Sequence, residues 1–262
     1  MGSATTQALA ASAQALAAAS GVSLDTAREL FAAARAVGES SQLSGALADP
    51  AASATARQNV VAAVFGGFSP SAQGVLKTAV SERWSSADEL VDGIEELAIR
   101  AAAIAEPDAD IEAELFGFSR VIAANADLEL ALGSRLGGAE AKGALVERLL
   151  AGSTGAPATL IISSLVRQPR ERRVRQLLTR AMRIVSSQRG RVVATVHSAT
   201  ELSDAQRTRL SDALSRRYDG QVSLNVVIDP AVVGGLRVQI ADDVIDGSIS
   251  ARLADLRQKL AG

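Results

Sequence analysis

The chain has 262 residues, of which 48% are apolar and only 3% aromatic, and its net charge is −2. This apolar fraction argues against intrinsic disorder, and the charge argues against a surface that binds nucleic acids generally. Because the sequence has no cysteine, disulfides, thiolate nucleophiles and cysteine-ligated metals are excluded. Much of the apolar content is alanine, which suits closely packed helices better than a β-sandwich.

The N-terminal segment carries no charged side chain before Asp25. It lacks a basic n-region, and serine, threonine and glutamine dilute its apolar residues. We therefore expect neither a signal peptide nor insertion into a membrane. The segment is predicted to form a helix with Leu9, Ala13 and Leu16 on one stripe.

An internal repeat follows. Shifting the sequence by 85 residues aligns Leu30 with Leu115 and Val61 with Val146, and it needs no gap over about forty positions. Since alanine is abundant, the shared spacing of large apolar residues is more informative than identities at alanine. We predict a duplicated helical unit, with the first copy in residues 1–105 and the second in residues 106–189.

Each unit is predicted to follow the same scheme of helices. The last helix of the first unit opens with Ser86 and Glu89, which match a capping box. Pro107 separates the two copies, because proline disfavours a helical conformation at the residue before it. The other elements of the first unit are a helix from about Ser23, a short segment at residues 42–49, a helix through residues 60–65 and an apolar helix at residues 74–80.

Charge is segregated along the chain. Residues 82–114 are mostly acidic, and residues 167–191 are rich in arginine with Glu171 as the single acid. Such runs are usually solvated helix faces, and the alternative is that they are surfaces for other subunits. The arginine-rich run has neither interleaved aromatic residues nor a nucleic-acid reader motif, so we expect no nucleic-acid partner.

After Gly190 the periodicity changes to alternation, which predicts strands at residues 192–197, 222–228 and 236–240. A helix opening with a capping box at Ser203 and Gln206 lies between the first two strands. A last helix carries Leu253 and Leu256. The predicted fold class is mainly α, with an N-terminal helical bundle, a second, repeat-related helical unit, and a small α/β domain (β-α-β-β-α) at residues 190–262.

No catalytic, cofactor-binding or metal-binding residue is predicted. Gly234 and Gly235 lack the phosphate-loop frame and precede a strand, and residues 151–155 do not form a nucleophile elbow. His197, the single histidine, is expected to be a structural strand residue. The adjacent carboxylates at residues 95–96 and 242–243 cannot converge on one substrate, so we expect them to be surface charges.

Residues 222–248, VSLNVVIDPAVVGGLRVQIADDVIDGS, resemble the C-terminal signature of the F-type ATP synthase delta subunit family, which includes the oligomycin-sensitivity-conferring protein. The resemblance covers essentially everything after Gly190, and the helical part is similar more loosely. The chain exceeds the usual length of the family by about one repeat. The signature residues, for which structural roles are expected, are Asp229, Gly234, Gly235, Arg237, Asp246, Gly247 and Ser248.

The resemblance implies a non-catalytic stator subunit without a cofactor, present once per complex. It would bind N-terminal segments of the alpha subunits through its helical part and the b-subunit stalk through its C-terminal domain. It would lie peripherally, on the cytoplasmic side of the bacterial plasma membrane. The competing hypothesis is a free-standing helical adaptor with unrelated partners. Candidate partner contacts are Leu9, Ala13, Leu16, Leu253 and Leu256.

Overall fold

The computed structural model describes residues 2–134, 137–170, 172–218, 220–240 and 243–249, which form two compact units, Met1–Val185 and Ser186–Gly262. The predicted fold class, a mainly helical chain with a small C-terminal α/β part, is confirmed. No helix among the described residues is long and apolar enough to cross a bilayer. The helices before the sheet are α1 (Ser3–Ala18), α2 (Leu24–Glu39), α3 (Ser41–Ala48), α4 (Ala54–Val64), α5 (Pro70–Ser81), α6 (Ala87–Ala105), α7 (Ile111–Ala124), α8 (Ala126–Gly133), α9 (Ala139–Leu150), α10 (Ala156–Arg167) and α11 (Val174–Gln188).

The internal repeat is visible in the helix boundaries. Helices α2–α5 recur as α7–α10, and adding 85 to the bounds of α3 gives the bounds of α8. Large residues at matching positions are buried alike, since Leu30, Leu115, Val61 and Val146 all have 0% exposure. The segment at residues 42–49, which was predicted without a helical assignment, is therefore the short helix α3, and it has a counterpart in the second copy.

Helix α6 corresponds to two other helices at once. The 85-residue offset relates α1 to α6, and it relates α6 to α11. The buried residues of α1, namely Thr5, Ala8, Ser12 and Leu16, fall on four residues of α6 that are also buried. Helix α6 contacts α1, α2, α3, α5 and α10, and one hydrophobic cluster runs through residues 8–185. We propose that each predicted unit is a six-helix bundle and that α6 belongs to both.

The capping boxes differ in part from the sequence prediction. Ser23 and Thr26 form a reciprocal capping box at the start of α2. At α6, the Ser86 hydroxyl accepts a hydrogen bond from the Glu89 amide at 3.1 Å. The Glu89 carboxylate, however, accepts the hydroxyl of Thr5 on α1, so the second half of the predicted box is wrong. This hydrogen bond lowers the pKa of Glu89 and ties α1 to the first turn of α6.

A carboxylate at matching positions of the two copies caps another helix. Glu29 on α2 accepts the backbone amide of Ser69 at 3.0 Å, just before α5. Glu114 on α7 lies 85 residues later and accepts the amide of Gly155 at 2.9 Å, just before α10. A negative charge at a helix N-terminus satisfies a free amide and interacts favourably with the helix dipole. The repeat therefore preserves a polar contact as well as the apolar core.

The two charged runs pair with each other. On α6, Asp92 accepts Arg170 at 2.7 Å, and Glu95 accepts both terminal nitrogens of Arg172 at 2.9 and 2.8 Å. Burial by itself would lower the pKa of Arg172, but its hydrogen bonds to Glu95 and the charges of Glu95 and Asp92 outweigh that effect and raise it. The expectation that these runs are solvated helix faces is therefore wrong for the paired residues.

The cluster continues along α6 with Glu96, which accepts Arg100 at 2.8 Å and Arg180 at 3.4 Å. Glu95 and Glu96 are each only 6% exposed, so the expectation that they are surface charges is wrong. A buried carboxylate without a counter-charge is strongly unfavourable, and these arginines remove that cost. Asp242, of the other predicted pair, lies outside the described residues.

The C-terminal unit contains one mixed sheet with the order β2-β1-β3-β4, in which β1 pairs parallel to β2 and antiparallel to β3. The predicted capping box of Ser203 and Gln206 is confirmed at 2.8 and 3.3 Å. The small core consists of Ala194, Val196, Leu214, Val222, Val238 and Ile240. The elements are β1 (Arg191–Ser198), α12 (Asp204–Tyr218), β2 (Gln221–Ile228), β3 (Leu236–Ile240) and β4 (Asp243–Asp246).

Strand β4 was not predicted. Its four residues begin and end with aspartate, so they show too little alternation to indicate a strand. The strand forms because β3 offers a free edge, along which Gln239 pairs with Val244 and Val238 with Ile245. The last predicted helix, with Leu253 and Leu256, lies outside the described residues except for its first residue.

We predict that Arg172→Gln destabilises the helical unit by about 2 kcal/mol or more, because the buried Glu95 would lose both hydrogen bonds to Arg172 and keep, among the described residues, only Arg180 at 3.8 Å. The matched control is Arg175→Gln, which removes a more exposed pair with Glu129 and should cost less than about 1 kcal/mol. Urea unfolding followed by the fluorescence of Trp84, the single tryptophan, measures both variants. Equal losses of stability in the two variants would contradict a special role for the buried pair.

Candidate partner-binding surfaces

The first candidate surface is helix α1, where Leu9, Ala13 and Leu16 were predicted to form one stripe. Leu16 is fully buried, whereas Leu9 and Ala13 are half-buried at the edge of the core. The inward face instead includes Thr5 and Ser12, whose hydroxyls are satisfied by a hydrogen bond to Glu89 and by a backbone carbonyl at 2.7 Å. Leu16 is therefore not available as a surface contact, and the exposed part of α1 lies elsewhere.

An open groove lies between the C-terminal half of α1 and helix α5. Its volume is about 410 Å3, and no charged side chain lines it. A side chain added at Gly74 would point into open space. Small residues allow the backbone of an incoming helix to approach closely. The groove is lined by Ala15, Ala18, Ala19, Ser20, Pro70, Ser71, Gly74, Val75 and Thr78.

The second copy does not repeat this small-residue groove. At the positions 85 residues later, several of the lining residues are larger, and one is charged. The open, uncharged groove is thus a property of the first copy. The pairs are Ala15 and Arg100, Ala19 and Ile104, Gly74 and Thr159, and Val75 and Leu160.

The second candidate surface is the signature of the C-terminal unit. Gly234 and Gly235 have φ angles of 65° and 79°, a region that L-residues with side chains rarely adopt. A Cβ atom at Gly235 would collide with the backbone of residues 247–248. The Gly247 amide donates to the Leu236 carbonyl at 2.8 Å, and the Ile249 amide donates to the Gly234 carbonyl at 3.2 Å. The two ends of the signature therefore hold each other.

The charged residues of the signature also have partners within the unit. Asp246 accepts the Ser248 amide at 3.0 Å, and Arg237 lies opposite it in the β3–β4 ladder. The hydrogen bonds from Ser248 and the charge of Arg237 lower the pKa of Asp246. Asp229 accepts the Ala231 amide at 2.9 Å, and its carboxylate lies 3.6 Å from Nδ1 of His197. These contacts hold the backbone of the signature in its conformation. They therefore point to a structural role for these charged residues rather than to direct binding of a partner.

The described part of the chain was also searched for a metal-binding site. No group of three or more His, Asp or Glu residues there is arranged to hold a metal ion. Asp243 on β4 accepts the hydroxyl of Tyr218 at 3.0 Å. The candidate contacts Leu253 and Leu256 lie outside the described residues. What the geometry does provide is an uncharged groove between α1 and α5.

Comparison with known proteins identifies the family of this chain. The model of the ATP synthase delta (OSCP) subunit family matches residues 98–260. The chain belongs to the ATP synthase delta (OSCP) subunit family. ATP synthase subunit delta of Leifsonia xyli is 49% identical over 264 residues, which cover 100% of both chains. The delta subunit of Nocardia farcinica is 39% identical over 92% of this chain and 91% of its own, and that of Streptomyces avermitilis is 38% identical over 82% and 81%.

The predicted family resemblance is thereby confirmed. The delta-family match begins at residue 98, inside α6, and includes α7–α11 and the C-terminal unit. Helices α1–α5 precede the matched region. The full-length alignment with the Leifsonia delta subunit nevertheless includes them, so the added helical copy is shared with this relative.

We predict that Gly235→Ala lowers the stability of the C-terminal unit by roughly 2 kcal/mol or more, because it combines a strained φ angle with a backbone collision. The matched control is Gly220→Ala, where an added Cβ makes only ordinary contact at 3.7 Å. Amide hydrogen exchange of the strands in the full chain measures both. Unchanged protection in Gly235→Ala would contradict the structural role of this glycine.

Proposed function

We propose that this chain is a non-catalytic stator subunit in the peripheral stalk of an F-type ATP synthase. It would join the N-terminal segments of the alpha subunits to the b-subunit stalk, so that the catalytic head resists the torque of the rotor. The observation that carries the proposal is the alignment of the whole chain with an ATP synthase delta subunit at 49% identity. The complex would hold one copy, peripherally, on the cytoplasmic side of the plasma membrane.

The architecture of the helical part supports this mechanical role. A connector under torque must transmit load without bending between its parts. In this chain the core continues from the first copy into the second through α6, and the ion pairs of α6 are largely buried. Closely packed interiors deform little, so a shared helix resists hinge motion better than a linker would.

The groove between α1 and α5 is the proposed site for an alpha-subunit segment. Its uncharged walls suit the apolar face of an amphipathic helix. The b-subunit contact is proposed for the C-terminal unit, in which Leu253 and Leu256 remain candidate residues. Since the signature residues are occupied with each other, the helix faces beside them are the better candidates for binding.

Co-purification tests the function. A tagged copy of the full chain, isolated from its native membranes in mild detergent, should bring down the alpha, beta and b subunits in fixed proportion. The control is an unrelated tagged protein expressed at the same level. Recovery of the tagged chain without any of these subunits would refute the stator role and support the free-standing adaptor.

We also predict that Gly74→Leu weakens binding of an alpha-subunit N-terminal peptide roughly tenfold or more, because the new side chain fills the groove. Calorimetry with the full chain measures the affinity. The control is Gly117→Leu on α7, another exposed helical glycine with open space around it. Deleting α1 would be a poorer test, since Leu16 belongs to the core. Unchanged affinity of Gly74→Leu would place the peptide elsewhere.

A further inference from the structure

A second cleft, separate from the α1–α5 groove, lies where the two helical copies meet. It has a volume of about 650 Å3 and is bordered by α2 on one side and by α9 and α10 on the other. Arg28, Arg35 and Arg167 line it, and Glu147 is the one carboxylate among its described lining residues. Leu160 adds apolar surface. The residues that line the cleft are mostly basic, although Asp25 and Glu140 lie close to two of its arginines.

The three arginines are not equally neutralised. Arg28 pairs with Asp25 on its own helix, and Arg167 pairs with Glu147 at 2.9 Å. Arg35 forms neither an ion pair nor a hydrogen bond with the described residues. In addition, Nε of Arg167 is buried without a hydrogen bond, although Glu140 lies 3.4 Å away. Arg35 therefore has unused hydrogen-bonding capacity, whereas Nε of Arg167 is buried and Arg167 already lies beside two carboxylates.

The electrostatics of Arg35 are unfavourable in the chain by itself. Burial lowers its pKa most, the positive charge of Arg167 lowers it further, and Glu140 and Glu39 compensate only in part. Two like charges in a half-buried cleft repel each other, and an anion between them would relieve the repulsion. Guanidinium groups match carboxylates especially well because their planar donors can bind both oxygens.

We propose that this cleft binds an acidic amphipathic helix from another subunit of the complex, with one of its carboxylates held by Arg35 next to the positive charge of Arg167. Arg28 and Arg35 both face the cleft and are seven residues apart on α2, which corresponds to about 10 Å along the helix. The partner helix should carry acidic residues with a similar spacing beside an apolar stripe that meets Leu160. This proposal rests on the proposed function for the identity of the complex.

Carbodiimide cross-linking tests the proposal, because this reagent joins a lysine to a carboxylate in direct contact. The variant Arg35→Lys keeps the positive charge and places a reactive amine in the cleft. In the purified ATP synthase, we expect a cross-link from this lysine to an Asp or Glu of another subunit, identified by mass spectrometry. The wild-type complex should lack that cross-link. Changing the identified carboxylate to its amide should abolish it.

The matched control is Arg120→Lys, an exposed arginine at the position of the second copy that corresponds to Arg35. It should give no cross-link between subunits. Cross-links from the Arg35→Lys variant only to carboxylates of its own chain, or no cross-link at all, would overturn the proposal while leaving the stator role intact. Failure of the chain to co-purify with the complex would instead count against the stator role itself.

Discussion

The neutralisation of buried carboxylates on α6 is the interaction on which the helical part depends. Glu95 and Glu96 are buried on α6, and Asp92 beside them is half-buried. Their charges are tolerable because Arg100 and the arginines of residues 170–180 reach them. Folding of the first copy around α6 is therefore coupled to docking of the second. The pairs also fix the register between the two, since an arginine displaced by one turn would leave its carboxylate alone.

Much of the helical architecture could be predicted from the sequence. The 85-residue offset and the alternation after Gly190 both correspond to elements of the structure, because they reflect local geometry and periodicity. The family signature could be read from residues 222–248 for a different reason: its glycines satisfy local backbone requirements, which leave a recognisable pattern. The capping box at Ser203 was likewise a local feature.

What could not be predicted depended on contacts between distant residues. The role of Glu95 is set by Arg172, 77 residues away. Glu89 bonds to Thr5, 84 residues away, instead of closing its own capping box. The inward face of α1 also includes Thr5 and Ser12, which look like surface residues until their hydrogen bonds are known. The groove and the basic cleft also needed coordinates, since each combines residues from separate helices. Glu29 and Glu114, however, could have been noticed as repeated acids in the alignment of the two copies.

The double membership of α6 has a consequence for how such a chain could lengthen during evolution. A complete second bundle would require six new helices, whereas the proposed sharing of α6 requires only five, because the closing helix of one bundle serves as the opening helix of the next. An insert of 85 residues is thus a self-compatible module, much as in solenoid proteins, where each repeat completes its neighbour. Insertion of a whole module leaves no apolar helix face without a packing partner. Insertion of any other length would leave such a face exposed. A helical connector could in this way be lengthened without introducing a joint.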